Sequence, residues 1–100
     1  MKVINIKTVK AFPYEERDKN VFFSTDKFKL RIIELNADGR MPLCNMESNV
    51  IFYFIKGEAE VTVNNETKLL NEGECLISAP GTFSIKTKNG VRILGIQIFL

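Results

Sequence analysis

Histidine and tryptophan are both absent from this chain of 100 residues. Without an imidazole group the chain cannot form a Ser-His-Asp or Cys-His catalytic relay. The absence of tryptophan, together with the lack of a paired-cysteine pattern, argues against an immunoglobulin-like sandwich. Acid–base catalysis would depend on Glu, Asp, Lys, Tyr or Cys side chains, and no motif marks two carboxylates as a pair.

Cysteine is scarce, since the chain has only Cys44 and Cys75. Small secreted domains usually carry more cysteines in pairs, so we expect both thiols to be reduced. Residues 1–7 alternate polar and apolar side chains, which is not the pattern of a signal peptide. The longest apolar run, residues 50–55, is far shorter than the about 20 residues of a bilayer span. We therefore predict a cytoplasmic protein without membrane contact.

An excess of either charge is also missing. The chain has 14 Lys and Arg against 12 Asp and Glu, for a net charge of +2, and the positive residues form no basic cluster. Such a distribution gives little attraction for nucleic acid or anionic membrane, so neither is an expected partner. Hydrophobic residues make up 45% of the chain, an ordinary globular value that, with the length, predicts one domain over residues 1–100.

Alternation of apolar and polar residues dominates the chain and predicts about nine short strands. The expected strands cover residues 3–9, 21–24, 28–35, 50–55, 58–63, 67–70, 75–78, 83–87 and 91–100. Residues 12–20 are expected to form a loop, and an irregular stretch is expected after Pro42. The pair Asn64-Asn65 suits the positive φ angles of a tight hairpin. Short strands with frequent turn signals indicate an all-β sandwich or barrel.

The order of turns and strands from residue 36 to 84 resembles the cupins. The first cupin motif reads G-x5-H-x-H-x3-E-x6-G and the second reads G-x5-P-x-G-x2-H-x3-N. Gly57 fits the closing glycine of the first motif, Gly73 and Gly81 fit the glycines of the second, and Gly39 lies next to the opening glycine position. The resemblance implies a small cupin-type double-stranded β-helix, a jelly-roll barrel.

The metal-ligand positions of the two motifs hold Cys44, Met46, Val50 and Ser84. In the family, three histidines and a glutamate at these positions hold a divalent Mn, Fe, Ni or Zn ion. Val50 has no donor atom and Ser84 is a poor neutral ligand, so we expect no metal and no other cofactor. Cys44 and Met46 could form a soft site for Cu(I), and Cys44 could be a reactive thiol, but packing is the favoured interpretation.

A pocket is the alternative use for these positions. If Val50 points into the barrel, Phe52 shares its face by alternation. The residues expected to line a small apolar pocket are then Cys44, Met46, Val50, Phe52 and Ser84. Equally, these side chains could fill the barrel and leave no pocket. Arg31 could bind an anion inside the barrel, but we expect its side chain to face outward.

The favoured function is a non-enzymatic domain that binds or senses a small, largely apolar or neutral molecule. One alternative is a metal-independent or atypical-metal enzyme acting on a sugar or small organic acid, as cupins do. Another is a structural dimeric scaffold with a filled barrel. The resemblance also implies a homodimer, for which the apolar segments 3–4 and 96–100 could supply the interface.

Overall fold

Two antiparallel sheets face each other in the structure, a computed structural model that describes residues 1–100. The nine strands are β1 (Val21–Ser24), β2 (Phe28–Leu35), β3 (Arg40–Met46), β4 (Asn49–Gly57), β5 (Ala59–Val63), β6 (Glu66–Leu70), β7 (Cys75–Ser78), β8 (Gly81–Lys86) and β9 (Val91–Ile98). One sheet has the order β1-β2-β9-β4-β7 and the other the order β3-β8-β5-β6. The all-β prediction is confirmed.

The core lies between the two sheets and follows the predicted alternation. On β4, Val50, Phe52 and Phe54 are buried, whereas Tyr53 between them is exposed. The Phe52 ring meets the Phe83 ring of the opposite sheet edge to face, with 5.8 Å between the ring centroids. Burial of large apolar side chains on both inner faces holds the sheets together, at roughly 1.5–3 kcal/mol for each.

Strand β3 was not predicted, because Pro42 indicated an interruption. The pairing of β3 with β8 shifts register between Met41 and Cys44, so Pro42 and Leu43 form a bulge. Proline has no N–H to donate, and it is tolerated here because β3 is an edge strand of its sheet. The bulge leaves Met41 opposite Ile85 and Cys44 opposite Phe83, both on the inner face.

The predicted strand over residues 3–9 is absent, and this expectation is wrong. The backbone there turns, with the amides of Thr8 and Val9 bonded to the Asn5 carbonyl. No strand lies beside it to complete a ladder; instead, the Arg92 guanidinium donates hydrogen bonds to the carbonyls of Ile6 and Val9. Alternation alone cannot specify a strand when the backbone has no sheet edge to pair with.

The predicted loop 12–20 contains the only helix, a 3-10 helix over Tyr14–Asn20. This helix is short and charged. No helix of the chain has the length and apolar character needed to cross a membrane. The turns agree in part with prediction, since only Asn64 of the pair Asn64-Asn65 has a positive φ. Asn64 has a φ of 56° in the β5–β6 hairpin. Gly57 has a φ of 79°, and a Cβ added there would lie 2.2 Å from the Gly90 carbonyl oxygen, so only glycine fits.

Candidate ligand-binding site

A cavity of about 230 Å³ lies between the inner faces of β2 and β3. Its walls come from Arg31 and Ile33 on β2, Met41, Cys44 and Met46 on β3, Phe52 on β4, and Gly95 and Gln97 on β9. This volume is below the roughly 300–1,000 Å³ of pockets for drug-sized ligands, so only a small molecule fits. The interior is therefore partly filled and partly hollow. Neither expectation, an apolar pocket or a barrel filled by side chains, describes all of it.

Residues 12–20 form the remaining wall and are called the cap segment below. Phe12, Tyr14, Arg17 and Asp18 of this segment line the cavity. The side chain of Asn20 joins the two ends of the segment, since its Oδ1 accepts from the Phe12 amide at 2.6 Å and its Nδ2 donates to the Phe12 carbonyl at 2.9 Å. This pair of bonds imitates a backbone ladder and closes the cap segment into a loop.

The cap segment is also fixed from its N-terminal side. Arg92 is only 8% exposed, and its guanidinium binds the carbonyls of Ile6 and Val9 and the Glu34 carboxylate. The Arg92 Nη1 to Glu34 Oε2 distance is 3.3 Å. Because Arg92 lies on β9, between β2 and β4, the chain that leads into the cap segment is anchored to the middle of the sheet.

Three of the five predicted pocket residues line the cavity. Cys44 and Met46 do so from β3 and Phe52 from β4. Val50 faces inward as expected, but it is completely buried within the apolar core and does not reach the cavity. Its side chain packs between the sheets and is unavailable to a ligand.

Ser84 does not belong to the site, which corrects the predicted set. Its neighbours Phe83 and Ile85 are buried on the inner face of β8, so alternation turns Ser84 to the outer face. Ser84 lies opposite Thr62 on β5, and the Thr62 hydroxyl bonds that of Thr67. The inward positions of β8 on either side of Ser84 hold Phe83 and Ile85.

Arg31 faces inward, contrary to the expectation of an outward charge. It pairs with Gly95 of β9 on the inner face, and a Cβ built on Gly95 would lie 3.3 Å from the Arg31 Cγ atom. The missing side chain of Gly95 therefore provides the room in which the Arg31 stem crosses the sheet. Both residues line the cavity.

The Arg31 guanidinium is poorly satisfied within the chain. Its one hydrogen bond joins Nη2 to the Gln97 Oε1 atom at 3.3 Å, and its buried Nε has no partner. Burial lowers the pKa of Arg31 below its ordinary value, and the nearby Asp18 carboxylate opposes this shift without forming an ion pair. Arginine remains protonated at neutral pH, so the cavity wall carries a positive charge.

Gln97 extends this polar region. Its Nε2 donates to the Ser48 hydroxyl at 3.3 Å and approaches the Met46 sulfur at 3.7 Å. Ser48 is 2% exposed, so this chain of contacts lies inside the protein. It fixes the amide of Gln97 with its oxygen toward Arg31.

The donor set does not fit the metal site that is usual for cupins. Val50 offers only buried methyl groups, Ser84 faces away from the interior, and the chain has no histidine. No group of three His, Cys, Asp or Glu residues is placed to hold a metal ion. Cys44 and Cys75 are free thiols, the first half-buried at the cavity and the second exposed.

Sequence reasoning missed the cap segment, Gly95 and Gln97. Two signals were present in the sequence. Arg31 and Gln97 lie within predicted strands at positions where alternation places their side chains on one face with apolar neighbours. A charged residue on an apolar face indicates a functional interior, whereas nothing in residues 12–20 indicates which surface they cover.

Solved structures are similar to this chain over most of its length. A protein of Thermus thermophilus, TT1209, is 19% identical over 98% of this chain and 97% of its own, with a TM-score of 0.84. A cupin superfamily protein of Desulfitobacterium hafniense is 15% identical over 80% of this chain and 74% of its own, with a TM-score of 0.74. The Cnp3 cupin domain of Schizosaccharomyces pombe is 25% identical over 80% of this chain and 61% of its own, with a TM-score of 0.71.

No protein-family model and no curated protein sequence matches the chain. The likeness therefore concerns structure, and it confirms the resemblance that the glycine spacing indicated. The two-sheet barrel and the observed strand order agree with it.

Proposed function

Because the chain has the cupin fold, we propose that it is a non-enzymatic domain that binds a small molecule in the cavity beneath the cap segment. The observation that carries this proposal is the cavity itself, since a barrel of this size can be filled by side chains. Here the β2 and β3 half of the interior is hollow, and its walls combine hydrophobic residues with polar and charged ones. Such a composition is typical of ligand sites.

We also propose that binding needs no metal. The chemistry of the residues at the usual ligand positions supports this, because a valine and an outward serine cannot replace a glutamate and a histidine. Metal analysis of protein purified without chelator tests it. A stoichiometric Mn, Fe, Ni or Zn ion would overturn the metal-free proposal and favour an atypical enzyme.

The two free cysteines provide an internal control for ligand binding. Cys44 lines the cavity and Cys75 is exposed on the outer face. A ligand in the cavity should slow the alkylation of Cys44 by iodoacetamide and leave that of Cys75 unchanged. Compounds from a library of small acids and neutral molecules that raise the melting temperature are the ligands to use, since binding the native state stabilises it.

A matched pair of variants tests the location. Cys44→Leu places a larger side chain in the cavity and should abolish the ligand-induced rise in melting temperature, whereas Cys75→Leu should retain it. If no compound protects Cys44 or raises the melting temperature, or if Cys44→Leu binds as the unmodified chain does, the proposed binding site is incorrect.

We propose a homodimer formed through the outer face of the five-stranded sheet. Across four strands this face carries a row of apolar residues in register, Leu30, Ile96, Ile51 and Ile77. Ile77 is 77% exposed, and it continues the row, so the apolar surface is contiguous. A row without charges suits an identical row on a second copy, related by a twofold axis.

Light scattering after size exclusion tests the dimer. Ile77→Lys should give a monomer, because the new charge would be buried in the interface. Leu69→Lys, at a 56% exposed position on the other sheet, is the matched control and should remain dimeric. A monomeric unmodified chain at all concentrations, or a dimer that survives Ile77→Lys, would refute this interface.

A further inference from the structure

We infer that the ligand is a small monocarboxylate with an apolar body, whose carboxylate is bound by Arg31 inside the cavity. This inference rests on the proposed function and adds the chemical class of the ligand. Its basis is the Arg31 guanidinium at the cavity wall, where Nη2 has one long hydrogen bond to Gln97 and Nη1 has no partner within the chain.

The Arg31 side chain is half-buried, and its guanidinium makes too few hydrogen bonds. A buried donor without a partner, such as its Nε, lowers stability. An apolar residue at position 31 would avoid this cost and would continue the wall formed by Ile33, Met41 and Phe52. The arrangement is accounted for when an acceptor from outside the chain completes the guanidinium.

The local charges specify a monoanion. Arg17, Arg31 and Asp18 line the cavity with two positive charges and one negative charge, an excess of one positive charge. The fourth charged residue of the lining, Glu34, is already bonded to Arg92. A monoanion neutralises this excess, whereas a phosphate dianion would exceed it.

The geometry of arginine favours a carboxylate over a neutral acceptor. The planar guanidinium can donate two parallel hydrogen bonds to the two oxygens of a carboxylate. Only Nη2 is engaged within the chain, by Gln97. The cavity lining also includes Phe12, Met41, Cys44 and Phe52, which suits a short apolar body. The small volume excludes long-chain acids.

Calorimetric titration with matched pairs of compounds tests the inference. Benzoate and hexanoate are compared with benzamide and hexanamide, which have nearly the same shape but no charge. The unmodified chain should bind the acids at least about tenfold more tightly than the amides, as expected for a charge-assisted hydrogen bond. Arg31→Met should lose this preference, and Arg40→Met, at an exposed arginine outside the cavity, should keep it.

The outcomes separate the two proposals. If amides bind as tightly as acids, or if Arg31→Met still prefers acids, the carboxylate inference is overturned and the small-molecule site stands. If neither these pairs nor the wider library binds, both fall. Should Arg31→Met fail to fold, NMR of the unmodified chain decides. The Arg31 Nε–Hε resonance should shift with benzoate and not with benzamide, and an unchanged resonance with bound benzoate contradicts the inference.

Discussion

The two halves of the barrel interior differ in how the same inward alternation is used. Between β4, β5 and β8, the inward residues are large and apolar. Among them, Phe54, Val61 and Phe83 are at most 1% exposed. Between β2 and β3, the inward residues include Arg31, Cys44 and Gln97, and a cavity remains. One half therefore provides stability, and the other half is free to carry binding groups at a cost in stability.

Truncating one inward side chain in each half should give the largest difference in the free energy of unfolding. Phe83→Ala in the filled half should lower the free energy of unfolding by about 3–5 kcal/mol, because it removes a fully buried ring and leaves a void. Cys44→Ala should cost less than about 1 kcal/mol, since its side chain already borders empty space. Urea unfolding measures both, and equal losses would contradict the division of the interior.

Enlarging a side chain should destabilise the filled half and should be tolerated in the hollow half. Val50→Leu should destabilise the chain by about 1–3 kcal/mol because the surrounding core is fully packed. Cys44→Leu should change the free energy of unfolding by less than about 1 kcal/mol, because the extra carbon atoms enter the cavity. A Cys44→Leu variant that is less stable than Val50→Leu would show that the cavity cannot accept added volume.

A single methyl group should have a smaller effect at the boundary of the two halves. Gly95→Ala places a Cβ 3.3 Å from the Arg31 Cγ and 3.5 Å from the Phe52 Cε1. Gly95 has an ordinary φ angle, so the cost is steric and should be about 1 kcal/mol or less. Benzoate affinity should fall more than stability does, because the guanidinium must shift. Unchanged affinity would show that Arg31 does not need this space.

The smallest effect is expected in the cap segment, at an exposed ion pair that does not line the cavity. The hydrogen bond and charge of Lys19 hold the pKa of Glu16 below its ordinary value of 4.5. A lowered carboxyl pKa stabilises the fold above the unfolded-state pKa, and this contribution is lost as the pH falls through the lower folded-state value.

Lys19→Ala should return the pKa of Glu16 toward 4.5, as measured by an NMR titration. The free energy of unfolding should change little, because the pair is exposed. A large loss of stability in Lys19→Ala would contradict this view and show that the cap segment contributes to the barrel. A pKa of Glu16 that does not move would show that Lys19 is not its partner.

The sequence predicted the filled half well and the hollow half poorly, for a physical reason. Large apolar residues at alternate positions, such as Phe52 and Phe54, have only one arrangement that buries them, so pattern determines their direction. Arg31 satisfies the same alternation, but its charge argued for the opposite face, and only the pairing with Gly95 shows why it fits inside.

Long-range placement explains the other differences. The irregular stretch expected after Pro42 is a strand instead, because pairing with β8 keeps β3 extended through a bulge. Residues 3–9 have strand-like alternation but lie where no strand pairs with them, and their carbonyls bond Arg92. Neither outcome is encoded locally, since each depends on a partner far away in the sequence.

The closure of the cap segment by Asn20 has a kinetic consequence. Since both bonds from Asn20 reach the same residue, Phe12, one side chain joins the two ends of the cap segment. We expect Asn20→Ala to free these ends and to shorten the residence time of a bound molecule, while leaving the contacts at Arg31 intact.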